Sequence, residues 1–190
     1  NCLLVGNVES SPLITSLLCA KELDSLGDEG YIIRSLQIEQ KKVTVVVAQK
    51  DQGLLYAIFH YLKLIQTHQS LDGVSVKEVP QIKYRVLNHW DNLDGTIERG
   101  YAGYSLWDWE RLPFYRSQRC VDYARANASI GINGTVLNNV NANAKSLRTE
   151  WLIKAAGLAD SFRPYGIRVF LTARFSAPQE IGNLDTSDPM

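Results

Sequence analysis

Three short apolar runs, each breaking into a polar loop and followed by a helix-patterned stretch, constrain the second half of this chain more than any other feature. Tyr84, Val86 and Leu87 form the first, with Pro80 just outside it; Thr135-Val136-Leu137 form the second; Ile167 to Thr172 form the third. Between them, Pro113-Phe114 leads into a helix reaching about Ala128, with Cys120, Val121, Tyr123 and Ala124 on its inner side. Leu147 to Phe162 reads as another, Trp151, Leu152, Ala155, Ala156 and Leu158 alternating with Arg148, Glu150, Lys154 and Asp160. Strand, helix, strand, helix, strand implies parallel pairing through right-handed crossovers. That start serves a doubly wound sheet or a barrel, and large polar loops after every strand on the same edge fit the barrel better. Three strands cannot close, so a free edge is expected at the third, with Val86, Val136 and Val169 facing an absent opposite wall. Gln179 to Met190 reads as a loop after that strand.

The first half has a different grammar. Cys2-Leu3-Leu4-Val5 is a short strand stopped by Gly6-Asn7, and Ser11-Pro12 opens a helix carrying Leu13, Ile14, Leu17 and Leu18. Tyr31 to Ile38 and Lys41 to Ala48 are strands separated by Glu39-Gln40 alone, which predicts an antiparallel hairpin. Asp51 to Gln66 is a helix on the spacing of Leu54, Leu55, Ile58, Tyr61, Leu62 and Ile65, and His60 within it reads as a partly buried or surface histidine. This β-α-β-β-α unit is too small for a large pocket. His68 to Lys83 is a polar connection containing Val74-Ser75-Val76, and the domain boundary is placed near 78 to 82, giving domains 1–80 and 81–190.

Composition excludes several classes. Twenty basic and 20 acidic side chains give a net charge of +0, which offers no electrostatic reason to expect nucleic acid as a partner. No run reaches the roughly 18 consecutive apolar residues of a membrane span. Cys2, Cys19 and Cys120 fit neither a disulfide framework nor a metal knuckle, and buried free thiols are expected. No signal peptide is visible, but the first residue is Asn1, so the compartment stays open: cytoplasmic, periplasmic or secreted.

Chemistry concentrates in the loops. After the first strand come Asn88, His89, Trp90, Asp91, Asn92, Asp94, Glu98 and Arg99; after the second, Asn138-Asn139-Val140-Asn141; after the third, Ala173-Arg174-Phe175-Ser176. Trp90 could stack its indole face on a pyranose, or be a barrel-end core aromatic. Asp91, Asp94 and Glu98 could serve acid/base work, but bracing of the loop through backbone N–H groups or Arg99 is the favoured reading. Arg99 and Arg174 suit a substrate carboxylate or an internal salt bridge equally. Asn138, Asn139 and Asn141 suit sugar hydroxyls or turn-holding. His89 has no second histidine at ligand spacing, so no metal is expected, and nothing calls for a cofactor. Tyr101, Tyr104, Trp107 and Trp109 could form a sugar subsite, but a cover for the barrel mouth or the seam with the first domain is favoured. Asn127-Ala128-Ser129 and Asn133-Gly134-Thr135 are sequons of a kind that occur often by chance.

The run Asn88 to Gly103, NHWDNLDGTIERGYAG, resembles the opening of the catalytic barrel in the α-glucuronidases of glycoside hydrolase family 67. Asn133 to Ala142 and Ala173 to Pro178 are similar to that family's second and third strand ends, and residues 1–80 resemble the accessory domain found there and in β-hexosaminidases. The resemblance implies an α/β fold: the accessory domain, then the first three βα units of a truncated TIM (β/α)8 barrel. It implies inverting hydrolysis of α-1,2-linked (4-O-methyl)glucuronic acid from xylooligosaccharides, with aldouronic acids and glucuronoxylan-derived oligosaccharides as partners. It leaves room for a homodimer of the full-length enzyme. By the same resemblance Trp90 lies against the uronic acid and Val140 lines the 4-O-methyl pocket, although inward packing of Val140 remains the rival. Substrate-binding candidates are thus Trp90, Val140, Asp91, Arg99, Asn139 and Arg174. In the family the catalytic carboxylates come from later strands, so none is assigned here, and residues 1–190 alone are expected to be inactive. A β-hexosaminidase-like glycosidase and a non-catalytic carbohydrate-binding fragment are the alternatives.

Overall fold

The computed structural model of the chain describes residues 2–185. Two compact units are resolved: residues up to Lys83 with Ala128–Gly131, and Tyr84–Asn127 with the residues from Ile132 onward.

The first unit is a four-stranded mixed sheet with helices on both faces. β1 (Cys2–Asn7), β2 (Tyr31–Ile38), β3 (Lys41–Ala48) and β4 (Ser75–Glu78) lie in the order β1-β3-β2-β4. The β2–β3 hairpin is antiparallel with Ile38 opposite Lys41, and Glu39 turns the corner at φ 54°. Short helices α1 (Pro12–Leu17) and α2 (Ala20–Asp24) cover one face. The hydroxyl of Ser11 caps α1 by accepting from Ile14 N. Ile14, Leu18, Leu23 and Leu26 there bury against Ile32, Val43, Val45 and Val47. The alternate residues Ile33, Val46 and Ala48 are equally buried on the other face, which carries α3 (Asp51–Gln66). α3 comes close because Gly53 has no side chain: a Cβ there would sit 2.5 Å from Gly30 O. The Tyr31 hydroxyl meets His60 Nδ1 at 2.8 Å, so His60 is a half-buried structural partner.

The second unit holds β5 (Val86–Asn88), β6 (Gly134–Val136) and β7 (Arg168–Phe170), parallel in the order β5-β6-β7, as the alternation of patterns implies. The crossovers contain α4 (Gln118–Ser129) and α5 (Thr149–Phe162). Among the described residues the sheet is open, and no closed barrel is formed. Trp107, Tyr123, Phe162, Leu137 and Leu158 build its core, with Trp107, Tyr123 and Phe162 in mutual ring contact at 5.1–5.7 Å.

Three expectations need correction. Register places Val169 opposite Thr135 and Leu87, on the helix-covered face; Val86 and Val136 lie on the other face, with Tyr84 and Phe170. Three residues expected to face one way are therefore split between the two sides. Residues Ala177–Gly182 form a helix, α6, not a loop, with Pro178 fixing its first turn; part of that expected loop lies outside the described residues. Cys2 and Cys19 are exposed, and Cys120 alone is the buried thiol expected. Both sequon asparagines, Asn127 and Asn133, are buried, which removes them as glycan acceptors in the folded chain. No helix among the described residues is long and apolar enough to cross a membrane.

Candidate functional site

The loop leaving β5 is held from beneath by a polar network. Asp91 is 1% exposed, and its carboxylate accepts from the Ser105 hydroxyl, whose oxygen in turn accepts from Trp107 N at 2.9 Å. His89 Nδ1 faces Asp91 Oδ1 at 3.8 Å, while Nε2 meets the Tyr123 hydroxyl at 2.8 Å, and that hydroxyl meets Thr135 Oγ1 at 2.9 Å. Burial lowers the His89 pKa, outweighing the pull of Asp91, and raises that of Tyr123. A neutral His89 with Nε2 accepting from the Tyr123 hydroxyl leaves that oxygen free to accept from the Thr135 hydroxyl. The residues on either side of Trp90 are thereby anchored, while its own indole is 44% exposed.

The rest of this loop folds back on itself. Isolated β-bridges join Asp91 to Ile97 and Thr96 to Tyr104. Asn92 Nδ2 donates to Glu98 O at 2.6 Å, and Glu98 N to Trp90 O at 2.9 Å, with Glu98 held in the left-handed region at φ 57°. Asp94 accepts from both the hydroxyl and the amide of Thr96, which lowers its carboxyl pKa. Glu98 Oε2 is buried without a hydrogen-bond partner among the described residues, and Oε1 stands 3.9 Å from Arg99 Nε. Arg99 itself points outward, its side chain 86% exposed.

The loop after β6 is stitched to both neighbours. Asn139 N donates to Asp91 O at 2.9 Å. Asn138 places its side-chain amide against the Thr172 backbone, accepting from Thr172 N at 2.9 Å and donating to Thr172 O at 3.2 Å, and so extends the β6–β7 ladder by one peptide-like unit. The Thr172 hydroxyl lies 2.8 Å from Asn139 O and 3.2 Å from Asn138 O. Asn139 Oδ1 accepts from Asn141 N at 2.8 Å, an Asx turn with Val140 at its tip. Val140 is 49% exposed, so it does not pack inward.

The sequence candidates thus separate by role. Trp90, Val140 and Arg99 present side chains to solvent; Asp91 and Asn139 are buried and hold backbone. Arg174 ion-pairs with Glu180, which also accepts from Ser176 at 2.6 Å; the guanidinium lowers the Glu180 pKa, and Arg174 Nε is buried without a partner among the described residues. Of the aromatic group, Tyr101 and Tyr104 are exposed, whereas Trp107 and Trp109 are core. Ser105, Thr135 and Thr172 are not singled out as site residues by the sequence, since an isolated hydroxyl carries no signal, and Tyr123 reads there only as an inner-side residue of its helix. An exposed indole, an exposed apolar tip and the outward-pointing guanidinium of Arg99 suit a polar ring-shaped ligand bearing a carboxylate.

The description "Glycosyl hydrolase family 67 N-terminus" matches residues 1–61, and "Glycosyl hydrolase family 67 middle domain" matches residues 64–190. The chain belongs to glycosyl hydrolase family 67. Members similar to it include a probable alpha-glucuronidase A of Neosartorya fischeri, 42% identical over 187 residues, 98% of this chain and 21% of that protein. A probable alpha-glucuronidase A of Aspergillus fumigatus is 37% identical over the same shares, and alpha-glucuronidase A of Emericella nidulans is 39% identical over 86% of this chain and 19% of its own length. The chain therefore spans about a fifth of these family members. Among solved structures, a GH138 enzyme targeting pectin rhamnogalacturonan II superposes with a TM-score of 0.53 at 15% identity, covering 100% of this chain and 27% of that one. At that identity it is a likeness of fold.

Proposed function

We propose that this chain forms part of the sugar pocket of an enzyme that hydrolyses α-1,2-linked (4-O-methyl)glucuronic acid from xylooligosaccharides with inversion. In this reading β5, β6 and β7 are the first strands of a (β/α)8 barrel beginning near residue 81, and residues 1–80 are a hexosaminidase-like accessory domain. Trp90 stacks on the uronic acid ring and Val140 meets the 4-O-methyl group. Arg99 and Arg174 are the carboxylate partners, Arg174 on release from Glu180. Asp91 and Asn139 contribute through the backbone they hold. The acid and base that inversion requires come from later strands, as the family resemblance implies; Asp91 and Asp94 are occupied by Ser105 and Thr96.

The observation that carries this reading is that Trp90 and Val140, both exposed, stand on one rim of adjacent parallel strands, in loops coupled through Asn139 N and Asp91 O. Membership of a family whose similar proteins are named alpha-glucuronidases supports it and weighs against the β-hexosaminidase alternative. The test is proton NMR of the full-length protein acting on aldouronic oligosaccharides. The β-anomer of the released uronic acid is expected first, and Trp90→Ala is expected to lower kcat/KM about ten- to a hundred-fold. Appearance of the α-anomer first overturns inversion; no release of a uronic acid overturns the reading.

A further inference from the structure

We infer that Thr172, at the end of β7, is a positioning residue that sets selectivity for the 4-O-methyl group by holding the Val140 turn in place; this rests on the function proposed above. Thr172 is joined to the β6 loop at four points. Its amide and carbonyl grip the Asn138 side chain at 2.9 and 3.2 Å, and its hydroxyl lies 2.8 Å from Asn139 O and 3.2 Å from Asn138 O. A hydroxyl has one proton, so it serves these two carbonyls as a shared donor and ties both residues preceding Val140 to β7. Asn139 is at the same time fixed to the β5 loop through Asp91 O and to Asn141 N through its own side chain.

Every backbone attachment around Val140 therefore passes through Asn138, Asn139 or Asn141, while Val140 keeps its side chain half in solvent. An apolar tip on an otherwise polar turn can discriminate a methyl ether from a hydroxyl only if its position is fixed to a fraction of an ångström. The Thr172 hydroxyl, together with the Asn138 side chain on the Thr172 backbone, fixes it against β7. Thr172 has no place in the ligand contacts proposed for Trp90 or the arginines, so its loss alters selectivity and leaves ring stacking in place.

The experiment compares kcat/KM of the full-length protein on methylated and unmethylated aldouronic oligosaccharides for wild type, Thr172→Val and Thr172→Ser. Thr172→Val, which keeps the shape and removes the hydroxyl, is expected to bring the methylated-to-unmethylated ratio about three- to ten-fold closer to one, the worth of one ordinary hydrogen bond. Thr172→Ser, which keeps the donor, is expected to hold the wild-type ratio. A residue of merely structural importance would lower both substrates equally and leave the ratio unmoved. Should Thr172→Val not fold, Asn138→Asp, which replaces the Nδ2–H donor to Thr172 O with an acceptor, must shift the ratio in the same direction. A wild-type ratio of one, or a ratio unchanged in these variants while uronic acid is still released, overturns the inference alone. Failure of the wild type to release uronic acid overturns the function it rests on, and the inference with it.

Discussion

Tyr123→Phe isolates the network beneath Trp90. The substitution keeps the ring, and with it the contacts to Trp107 and Phe162, and removes one oxygen lying 2.8 Å from His89 Nε2 and 2.9 Å from Thr135 Oγ1. The two partners do not suffer alike. His89 retains some access to solvent and can find water, whereas Thr135 is 0% exposed, so its hydroxyl is left buried without that partner. Stranding one buried hydroxyl and weakening one half-buried pair costs about 1–3 kcal/mol. Removing both partners is cheaper than removing one, so Thr135→Val in the Tyr123→Phe background is expected to recover about 1 kcal/mol, although Thr135→Val alone destabilises. Urea denaturation of the 190-residue chain, followed by tryptophan fluorescence because Trp107 lies against both His89 and Tyr123, measures all four members of the cycle. Strict additivity, or a Tyr123→Phe cost below about 0.5 kcal/mol, would mean that the hydroxyl chain does not hold this loop.

Other outcomes follow from the same structure. Because burial depresses the His89 pKa below its ordinary value of 6.5, the unfolded chain binds the proton more readily; the contribution of His89 is present above pH 6.5 and is lost as the pH falls through the lowered value, and His89→Gln should flatten that slope in a melting series. Glu22 is held below its ordinary 4.5 by the paired Arg34 guanidinium, at 2.6 and 2.8 Å, so its contribution is present above pH 4.5 and lost as the pH falls through the lowered value. Glu22→Gln should cost about 0.5–1 kcal/mol at about pH 7 and much less near pH 3 in the same melting series. Gly53→Ala should destabilise by about 1–3 kcal/mol in a denaturant titration despite the helix preference of alanine, because its Cβ would meet Gly30 O at 2.5 Å. Gain of stability there would show that α3 can shift outward.

Legibility in the sequence followed the range of the interactions involved. β2, β3 and α3 occupy the residues their patterns indicate, since a period of two or 3.6 and a two-residue turn are local properties. α2 escaped because five residues are too few to show a period. Parallel pairing of the later strands was legible from their alternation with helices, but the facing of Val169 was not. Parity within a strand says nothing of register between strands, and register here aligns Val86 with Gly134 and Arg168. The same reason hid Thr172, whose importance exists only once β7 lies beside Asn138 and Asn139. Trp90 stood out as an indole in a polar loop; that its neighbours Asp91 and His89 turn inward to Ser105 and Tyr123 depends on contacts 14 and 34 residues away.

The most direct measurement is a crystal structure of the full-length protein with 4-O-methylglucuronic acid. The expected result is the sugar ring about 4 Å from the Trp90 indole with its methyl group on Val140. A sugar bound at the opposite ends of β5 and β6, away from both side chains, would contradict it.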